Sequence, residues 1–225
     1  MRLLNLNSLD VLKALPNACV DLIVTDPPYK VTSRGNAGNT GGMLKKELNL
    51  KGKVFEHNDI KVSDYAYDFF RVLKDGGHCY VMTNHKNLHE MLNVFKDAGF
   101  VFTKALVWDK GNKIMGTFYM SCFEYILFFR KGKAKKINHC GTADILRIPN
   151  KKTKLQGKNI HDTEKPVALF EVLIANSSQP NDIVLDPFMG VGGAGIACKR
   201  LGRCFVGVEL DKTYFDIAQQ RIMEE

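Results

Sequence analysis

The chain has 225 residues, of which 45% are hydrophobic, so it can bury one substantial core but is too short for two well-packed domains. Its 32 Lys and Arg residues against 24 Asp and Glu residues give a formal net charge of +8, which favours a polyanionic partner. The six cysteines include no Cys-x-x-Cys pair, so neither a disulfide framework nor a zinc site is expected.

Membrane and export signals are missing from the sequence. The N-terminal residues lack the apolar stretch of a signal peptide, and no later segment has the length of a bilayer span. We therefore expect a cytoplasmic protein that does not contact membranes.

Short apolar runs alternate with amphipathic stretches along the chain. The runs are nearly continuous in Val, Ile and Leu, as in strands covered on both faces, and the stretches repeat apolar residues at helical spacing. In chain order, the predicted elements are a strand at 20–25, a helix at 64–73, a strand at 78–83, a helix at 88–98, strands at 103–108 and 123–129, a helix at 166–176, a strand at 183–185, a helix at 192–201, a strand at 204–209 and a helix at 212–223. This order predicts an α/β fold with a doubly wound, mostly parallel sheet and an antiparallel hairpin at one edge.

Two segments interrupt the alternation. Residues 30–53 are rich in Gly, Asn and Lys, which is typical of a long mobile loop. Residues 130–158 contain ten Lys or Arg residues and one acidic residue, Asp144. Such a charge run is usually a solvated face, but this one interrupts the fold and therefore favours a nucleic-acid contact. We expect a single domain over 1–225, with a mobile loop at about 30–60 and a basic insertion at about 130–160.

The first candidate site is Asp26-Pro27-Pro28-Tyr29, directly after the strand at 20–25. Ligands of open α/β sheets bind beyond the carboxyl ends of strands. A carboxylate and a proline-fixed carbonyl can accept hydrogen bonds from an exocyclic amino group and free its lone pair for a methyl donor. Tyr29 offers a flat face on which a base can stack. Taken alone, the tetrapeptide is equally compatible with a proline turn.

The second candidate site is the glycine-rich segment 186–195, between a short strand and a helix. Its glycines let the backbone approach a ligand, and the helix N-terminus favours a negative group. The next strand ends at Glu209, whose carboxylate can accept ribose hydroxyls. Gly190, Gly192 and Gly195 also match Gly-x-Gly-x-x-Gly, so a dinucleotide site is the competing interpretation. The Asp186-Pro187-Phe188 run before the glycines argues against it.

These segments together resemble the amino-methylating DNA methyltransferases of the beta arrangement, which place the catalytic motif before the cofactor motif. Residues 26–29 match the catalytic motif of that family, and residues 186–192 match its Phe-x-Gly-x-Gly cofactor loop. Residues 161–166 resemble its His-Pro-Thr-Gln-Lys-Pro segment, and residues 106–112 and 124–128 resemble segments between the motifs. The resemblance covers essentially the whole chain.

The resemblance implies a Rossmann-like, seven-stranded fold with circularly permuted motif order, in which 3–6 becomes an inner strand. It also implies base flipping in double-stranded DNA and direct methyl transfer from S-adenosylmethionine, which leaves S-adenosylhomocysteine, without a metal. The family's first motif residue leans towards adenine N6 when it is Asp and towards cytosine N4 when it is Ser. Adenine N6 is therefore the favoured target, and cytosine N4 is the alternative.

The resemblance also assigns residues by role. The catalytic residues are Asp26, Pro27, Pro28 and Tyr29. The cofactor-binding residues are Asn7, Asp26, Thr163, Lys165, Asp186, Pro187, Phe188, Gly190, Gly192, Glu209 and Leu210. The residues expected to contact DNA, in the mobile loop and the basic insertion, are Lys30, Arg34, Lys45, Lys46, Lys133, Lys135, Lys136, Arg147, Lys151 and Lys152. Asn7 departs from the family, where many relatives carry Asp.

Other classes of protein remain open at this point. A catalytically silent DNA-binding protein, an RNA methyltransferase and a nicotinamide oxidoreductase each fit part of the pattern. The short insertion favours a dimer over a monomer, and a bacterial or phage enzyme of this kind implies a possible partner restriction endonuclease.

Overall fold

A computed structural model of the chain describes residues 1–28, 60–114, 119–133, 135–151, 153–155, 158–159 and 164–225. Most of the expected mobile loop at about 30–60 therefore lies outside the described residues. The strands are β1 (Arg2–Leu4), β2 (Val20–Thr25), β3 (Leu73–Thr83), β4 (Val101–Ile114), β5 (Ser121–Arg130), β6 (Ile145–Arg147), β7 (Lys154–Leu155), β8 (Lys158–Asn159), β9 (Ile183–Asp186) and β10 (Cys204–Val208). The helices are α1 (Ser8–Ala14), α2 (Ser63–Val72), α3 (Leu88–Asp97), α4 (Val167–Ser177), α5 (Gly193–Arg200) and α6 (Lys212–Glu224).

Eight of the described strands form one sheet in the order β1-β10-β9-β2-β3-β5-β4-β6. The five neighbouring strands β1, β10, β9, β2 and β3 pair in parallel. The strand β5 is antiparallel to both of its neighbours, β3 and β4. The remaining described strands, β7 and β8, pair with each other in a separate two-stranded sheet. This is the predicted mostly parallel α/β sheet with an antiparallel hairpin, so the fold class is confirmed.

Helices cover both faces of the sheet and divide the core into two layers. The layer under α1, α2 and α3 contains Tyr65, Phe69 and Phe95, all fully buried. The layer under α4, α5 and α6 contains Trp108 and Phe205, both 1% exposed. Burial on both faces explains why the central strands are apolar at nearly every position.

Two helix starts follow directly from side chains in the sequence. The Asn7 carboxamide oxygen accepts a hydrogen bond from Leu9 N at 2.8 Å, and so caps α1. Asp211 accepts hydrogen bonds from Thr213 N and Tyr214 N, and so caps α6. Short polar side chains are favoured at this position because they satisfy backbone N–H groups that the helix leaves free.

The structure corrects three details of the predicted sheet. It has eight described strands rather than seven, because Ile145–Arg147 within the basic insertion pair in parallel with β4. For the same reason β6, rather than the hairpin, is outermost on that side. The segment 3–6 is not an inner strand: among the described strands, β1 pairs only with β10 and lies at the opposite edge, which fits its three incompletely buried residues. No helix in the described part of the chain is long and apolar enough to cross a membrane.

Candidate active site

The carboxyl ends of β2 and β9 lie side by side in the middle of the sheet. From there the chain crosses to β3 on one side and to β10 on the other, and such a switch point leaves a ligand-binding crevice. Asp26 directly follows β2, and Asp186 ends β9. The Thr25 hydroxyl donates to Asp186 Oδ1 at 2.7 Å, which ties the two strand ends together. The two predicted motifs therefore meet at this crevice.

The Asp26 carboxylate is largely enclosed and has its two oxygens in different situations. Its side chain is 21% exposed, and Lys165 Nζ donates a hydrogen bond to its Oδ2. Its Oδ1 is buried and has no hydrogen-bond partner among the described residues. Pro27 is buried and Pro28 is half-buried, and neither has an N–H that would compete for an acceptor. Tyr29 lies outside the described residues.

Lys165 belongs to a buried charge network that reaches the hairpin. Its Nζ lies 3.4 Å from Glu124 Oε2 on β5. Glu124 Oε1 in turn accepts a hydrogen bond from Lys110 Nζ on β4 at 2.5 Å. The side chains of Lys165 and Lys110 are only 5% and 8% exposed. Two cations and two carboxylates thus neutralise one another where burying any one of them alone would be costly.

The two carboxyls of this network have pKa values shifted in opposite directions. Burial raises the pKa of Asp26; the Lys165 charge opposes that rise, and the Glu124 charge adds to it. Burial would also raise the pKa of Glu124, but the Lys165 and Lys110 charges outweigh it and lower that pKa. Burial therefore prevails at Asp26, whereas the charges of the two lysines prevail at Glu124.

Asp186 opens the glycine-rich loop and is 2% exposed. Besides the Thr25 hydroxyl, Phe188 N donates to its Oδ1 at 3.1 Å. Burial raises the pKa of Asp186 to about 7; these two hydrogen bonds oppose the rise, and the Asp26 and Glu209 charges add to it. The ring of Phe188 packs edge-on against Tyr65, with the ring centroids 5.6 Å apart.

The glycines of this loop serve different purposes. Gly190 and Gly192 have φ values of +51° and +82°, in the left-handed region that favours glycine, and they shape the turn before α5. A Cβ on Gly193 would lie 2.9 Å from the Phe170 ring, and one on Gly195 would lie 2.3 Å from Ile222. The last two glycines are therefore required by helix packing. This accounts for the third glycine of the Gly-x-Gly-x-x-Gly pattern without a dinucleotide.

Glu209 follows β10 and braces the glycine-rich loop. Its two carboxylate oxygens accept hydrogen bonds from Gly190 N at 3.0 Å and from Asp211 N at 2.8 Å. The Asn5 amide donates to the Glu209 and Leu210 carbonyls at 2.8 and 3.1 Å. Because each carboxylate oxygen has further acceptor capacity, Glu209 remains available to a ligand hydroxyl.

Asn7 lies close to the glycine-rich loop, because its neighbour Ser8 contacts that loop. The Ser8 hydroxyl donates to the Pro187 carbonyl, which joins the start of α1 to the glycine-rich loop. The carboxamide oxygen of Asn7 is already engaged in capping α1. Lys165 and the residues of the glycine-rich loop are thus brought together with Asp26, and Asn7 is adjacent to them. Thr163 lies outside the described residues.

The structure separates the predicted DNA-contacting residues into two groups. Arg147 is on β6, and its Nε lies 4.0 Å from Asp109 Oδ2 on β4. Lys151 is exposed and follows Asn150, whose N–H donates to the Lys110 carbonyl of β4. This group lies at the carboxyl ends of the parallel strands, where Asp26 also lies. The other group lies towards the amino ends of the parallel strands. The Lys135 carbonyl is 3.1 Å from His78 Nε2 in the middle of β3, and the Lys135 side chain lies beside Gly76 in the first half of that strand. Lys133 and Lys136 are its near neighbours in the chain. Lys30, Arg34, Lys45, Lys46 and Lys152 lie outside the described residues.

Sequence reasoning missed Glu124, Lys110 and Tyr65. The first two belong to segments quoted only for their family resemblance, and no pattern indicated that they approach Asp26. Tyr65 is fully buried on α2, and its hydroxyl has no hydrogen-bond partner among the described residues. It lies within the helix predicted at 64–73, but the sequence gave no sign that it packs on Phe188.

The charges at this edge fit S-adenosylmethionine. Burial raises the pKa values of Asp26, Asp186 and Glu209, so that a cationic ligand would offset the cost of keeping them ionised. S-adenosylmethionine carries both a sulfonium and an ammonium cation. Within the described ranges, no group of three or more His, Cys, Asp or Glu residues is placed to hold a metal ion.

Comparison with known proteins gives the chain its family. The sequence model of a family described as DNA methylase, N6_N4_Mtase, matches residues 20–220. The chain is 30% identical to the type II methyltransferase M.HinfI of Haemophilus influenzae over 96% of its own length and 66% of that protein. It is 31% identical to the type II methyltransferase M.HpaI of Haemophilus parainfluenzae over 100% of its own length and 74% of that protein. The chain thus spans about two thirds to three quarters of these relatives.

A solved structure agrees with the sequence comparison. The crystal structure of M1.HpyAVI in complex with SAM superposes with a TM-score of 0.69 at 26% identity, over 98% of each chain. The match in sequence includes both motifs at the crevice, and the match in structure includes nearly every described element. The chain therefore belongs to the N6/N4 family of S-adenosylmethionine-dependent DNA methylases.

Proposed function

We propose that the protein transfers a methyl group from S-adenosylmethionine to the N6 amino group of adenine in double-stranded DNA. The observation that carries transfer to an amino group is Asp26 Oδ1, a buried carboxylate oxygen without a hydrogen-bond partner among the described residues. An amino group held there donates a hydrogen bond in place of the missing partner. Because this bond favours a tetrahedral nitrogen, the lone pair of the amine becomes available for transfer. Adenine is favoured over cytosine because the first residue of the motif is Asp.

The proposed catalytic group is Asp26 with Pro27, Pro28 and Tyr29. The carbonyl fixed by the prolines accepts a hydrogen bond from the second amino hydrogen. Tyr29 stacks on a base that has been flipped out of the duplex. When bound, S-adenosylmethionine supplies an electrophilic methyl group on its sulfonium. The residues proposed to hold it are Asn7, Asp26, Thr163, Lys165, Asp186, Pro187, Phe188, Gly190, Gly192, Glu209 and Leu210.

The DNA contact is proposed for residues of the segment at about 30–60 and of the basic insertion at about 130–160, within a single catalytic domain. The proposed DNA contacts of Arg147 and Lys151 are supported by their position at the carboxyl ends of the parallel strands, where Asp26 also lies. Both curated relatives are named type II methyltransferases, and we propose by likeness that this chain protects DNA against a partner restriction endonuclease. A dimer, favoured by the small insertion, is tested by the molar mass of the purified protein in solution.

Product analysis tests the reaction. The purified protein is incubated with S-adenosylmethionine and unmodified genomic DNA, and the DNA is digested to nucleosides for mass spectrometry. We expect N6-methyldeoxyadenosine, with at least a ~100-fold lower rate in Asp26→Ala, because that variant loses the acceptor of the amino hydrogen.

Other outcomes of this experiment point elsewhere. N4-methyldeoxycytidine would keep the mechanism but replace the target base, since the same hydrogen-bond geometry serves cytosine. Cofactor binding without any methylated nucleoside would contradict the proposal and favour an RNA substrate or a catalytically silent DNA-binding protein.

A further inference from the structure

The hairpin of β4 and β5 carries an ion pair for which the proposed reaction has no role. Trp108 and Glu124 are directly opposite in the register of the two strands. Lys110 is two residues after Trp108 and so lies on the same face of β4, within reach of Glu124. The Lys110–Glu124 hydrogen bond, at 2.5 Å, is enclosed: the two side chains are 8% and 19% exposed.

This pair is connected to Asp26 through a single ammonium group. Lys165 Nζ donates to Asp26 Oδ2 and lies 3.4 Å from Glu124 Oε2. Lys165 is thus shared between a carboxylate of the proposed catalytic motif and a carboxylate of the hairpin. If Glu124 carried no charge, Asp26 would be the only one of these two carboxylates to neutralise the Lys165 ammonium.

We infer that Glu124, held in place by Lys110, is a positioning residue for Asp26: it shares the Lys165 ammonium and so limits how strongly that cation binds Asp26. This leaves Asp26 a stronger hydrogen-bond acceptor towards the amino group of the substrate. The part that concerns the substrate rests on the proposed function. The part that concerns the charge of Asp26 is a property of the free protein.

Within the described part of the chain, the groups that face Asp26 come from five parts of the fold. Lys165 precedes α4, Glu124 is on β5 and Lys110 is on β4. Tyr65 on α2 and Asp186 at the end of β9 also interact electrostatically with Asp26. Burial is the largest influence on the pKa of Asp26 and raises it; Glu124 raises it further, and Lys165 and Lys110 lower it. Neutralising Glu124 and neutralising Lys110 should therefore shift this pKa in opposite directions.

The test is a titration of the Asp26 carboxyl in the free protein by ¹³C NMR, with Asp26→Asn to identify the signal. In Glu124→Gln, which keeps the shape of the side chain, we expect the Asp26 midpoint to fall by about one pH unit, since nearby charges shift pKa values on that scale. In Lys110→Met we expect it to rise. The two opposite shifts keep the test decisive if one variant folds poorly.

Kinetics of the same variants connect the charge to the reaction. For Glu124→Gln we expect the acidic limb of the kcat–pH profile to move to lower pH. We also expect kcat to fall roughly tenfold while both KM values stay within about threefold, because the weakened acceptor acts in the transition state.

Glu171→Gln is the matched control. It removes the charge of a carboxylate on α4 that pairs with Arg200 at 3.0 Å and takes no part in the network around Asp26. We expect neither the Asp26 midpoint nor the kcat–pH profile to change.

The inference and the proposed function fail in different ways. An unchanged Asp26 midpoint in folded Glu124→Gln or Lys110→Met overturns the inference, whatever product the enzyme forms. Shifted midpoints in a protein that methylates no adenine or cytosine would instead keep the positioning of Asp26 and reject the proposed reaction.

Discussion

The two hydrogen bonds that the Asp186 side chain accepts within the described residues are both on one carboxylate oxygen. Both the Thr25 hydroxyl and Phe188 N donate to Oδ1. An asparagine at this position keeps an oxygen that can accept both bonds, while it removes the buried negative charge. The charge and the hydrogen-bonding geometry of this side chain can therefore be tested separately.

Asp186→Asn should change how stability depends on pH. The pKa of Asp186 is raised from its ordinary value of 3.8 to about 7, so the folded state binds a proton more tightly than the unfolded state. This carboxyl therefore stabilises the fold relatively at low pH, and that contribution is lost as the pH rises towards and through 7. Relative to the unsubstituted protein, Asp186→Asn should gain stability between pH 4 and pH 8.

Urea denaturation of the free proteins at pH 5 and pH 8 measures this difference. Asp10→Asn, an exposed acidic residue in the first turn of α1, serves as a comparison and should show no such gain. Equal changes in unfolding free energy at both pH values for Asp186→Asn would contradict the prediction.

Single residues of the site were predictable where local sequence carries the chemistry. Asp26 with its prolines and Asp186 with its glycines stand out because each motif follows a strand at once. Glu124 did not stand out, and Lys165 was indicated only by the family resemblance, as a cofactor-binding residue. Their meeting at Asp26 depends on strand pairing and on contacts between distant segments: the Lys165–Asp26 bond spans 139 residues. Their charges are ordinary in the sequence and become unusual only on burial.

Among the elements, α5 shows how packing overrides propensity. Alanine is favoured over glycine in a helix by about 1 kcal/mol. A Cβ on Gly195 would, however, lie 2.3 Å from Ile222 Cδ1 of α6 and 2.9 Å from the Phe205 ring of β10. The side chain of Ile222 can move, but the buried ring of Phe205 limits where it goes.

Gly195→Ala should therefore destabilise the protein, by ~1–3 kcal/mol, which is the usual cost of overpacking a core. Gly141→Ala is the control, because nothing lies within 4 Å of its Cβ position. Chemical denaturation of both variants measures the effect. A Gly195→Ala protein as stable as the Gly141→Ala protein would show that α5 and α6 adjust freely.

Elements with strong apolar runs were predictable, and short ones were not. The strands β2, β9 and β10 follow the sequence pattern closely. The three-residue β6 lies in a charged segment, where Ile145 and Leu146 are too few to form a pattern, and only its pairing with β4 defines it. The helix α1 was also not predicted; it is seven residues long and is fixed by its Asn7 cap and three buried side chains.

At the scale of the whole molecule, the basic residues predicted to contact DNA lie at both ends of the parallel strands. Arg147 and Lys151 lie at the carboxyl ends of the parallel strands, as Asp26 does, whereas Lys135 lies beside Gly76 in the first half of β3 and Lys136 follows it in the chain. From the sequence alone, all four residues were expected to contact DNA. Their positions favour the first pair for a duplex whose base reaches Asp26.

We expect the double variant Arg147→Ala/Lys151→Ala to bind DNA more weakly and with a flatter salt dependence. Loss of two phosphate contacts would lower the slope of log K against log salt by about two. Lys135→Ala/Lys136→Ala removes the same charge at the other end of the strands and should have the smaller effect. Fluorescence anisotropy with labelled duplex over a series of salt concentrations compares the two. A larger loss for Lys135→Ala/Lys136→Ala would place the duplex across the opposite end of the strands.

Trp108 is the one tryptophan of the 225-residue chain. It is 1% exposed, its indole N–H donates to the Ile148 carbonyl at 2.8 Å, and Lys110 Nζ lies 5.3 Å from its ring. Its fluorescence therefore comes from a single position beside the charge network that leads to Asp26. The protein consequently carries its own optical reporter, by which stopped-flow emission can follow the hairpin through a catalytic cycle without a label.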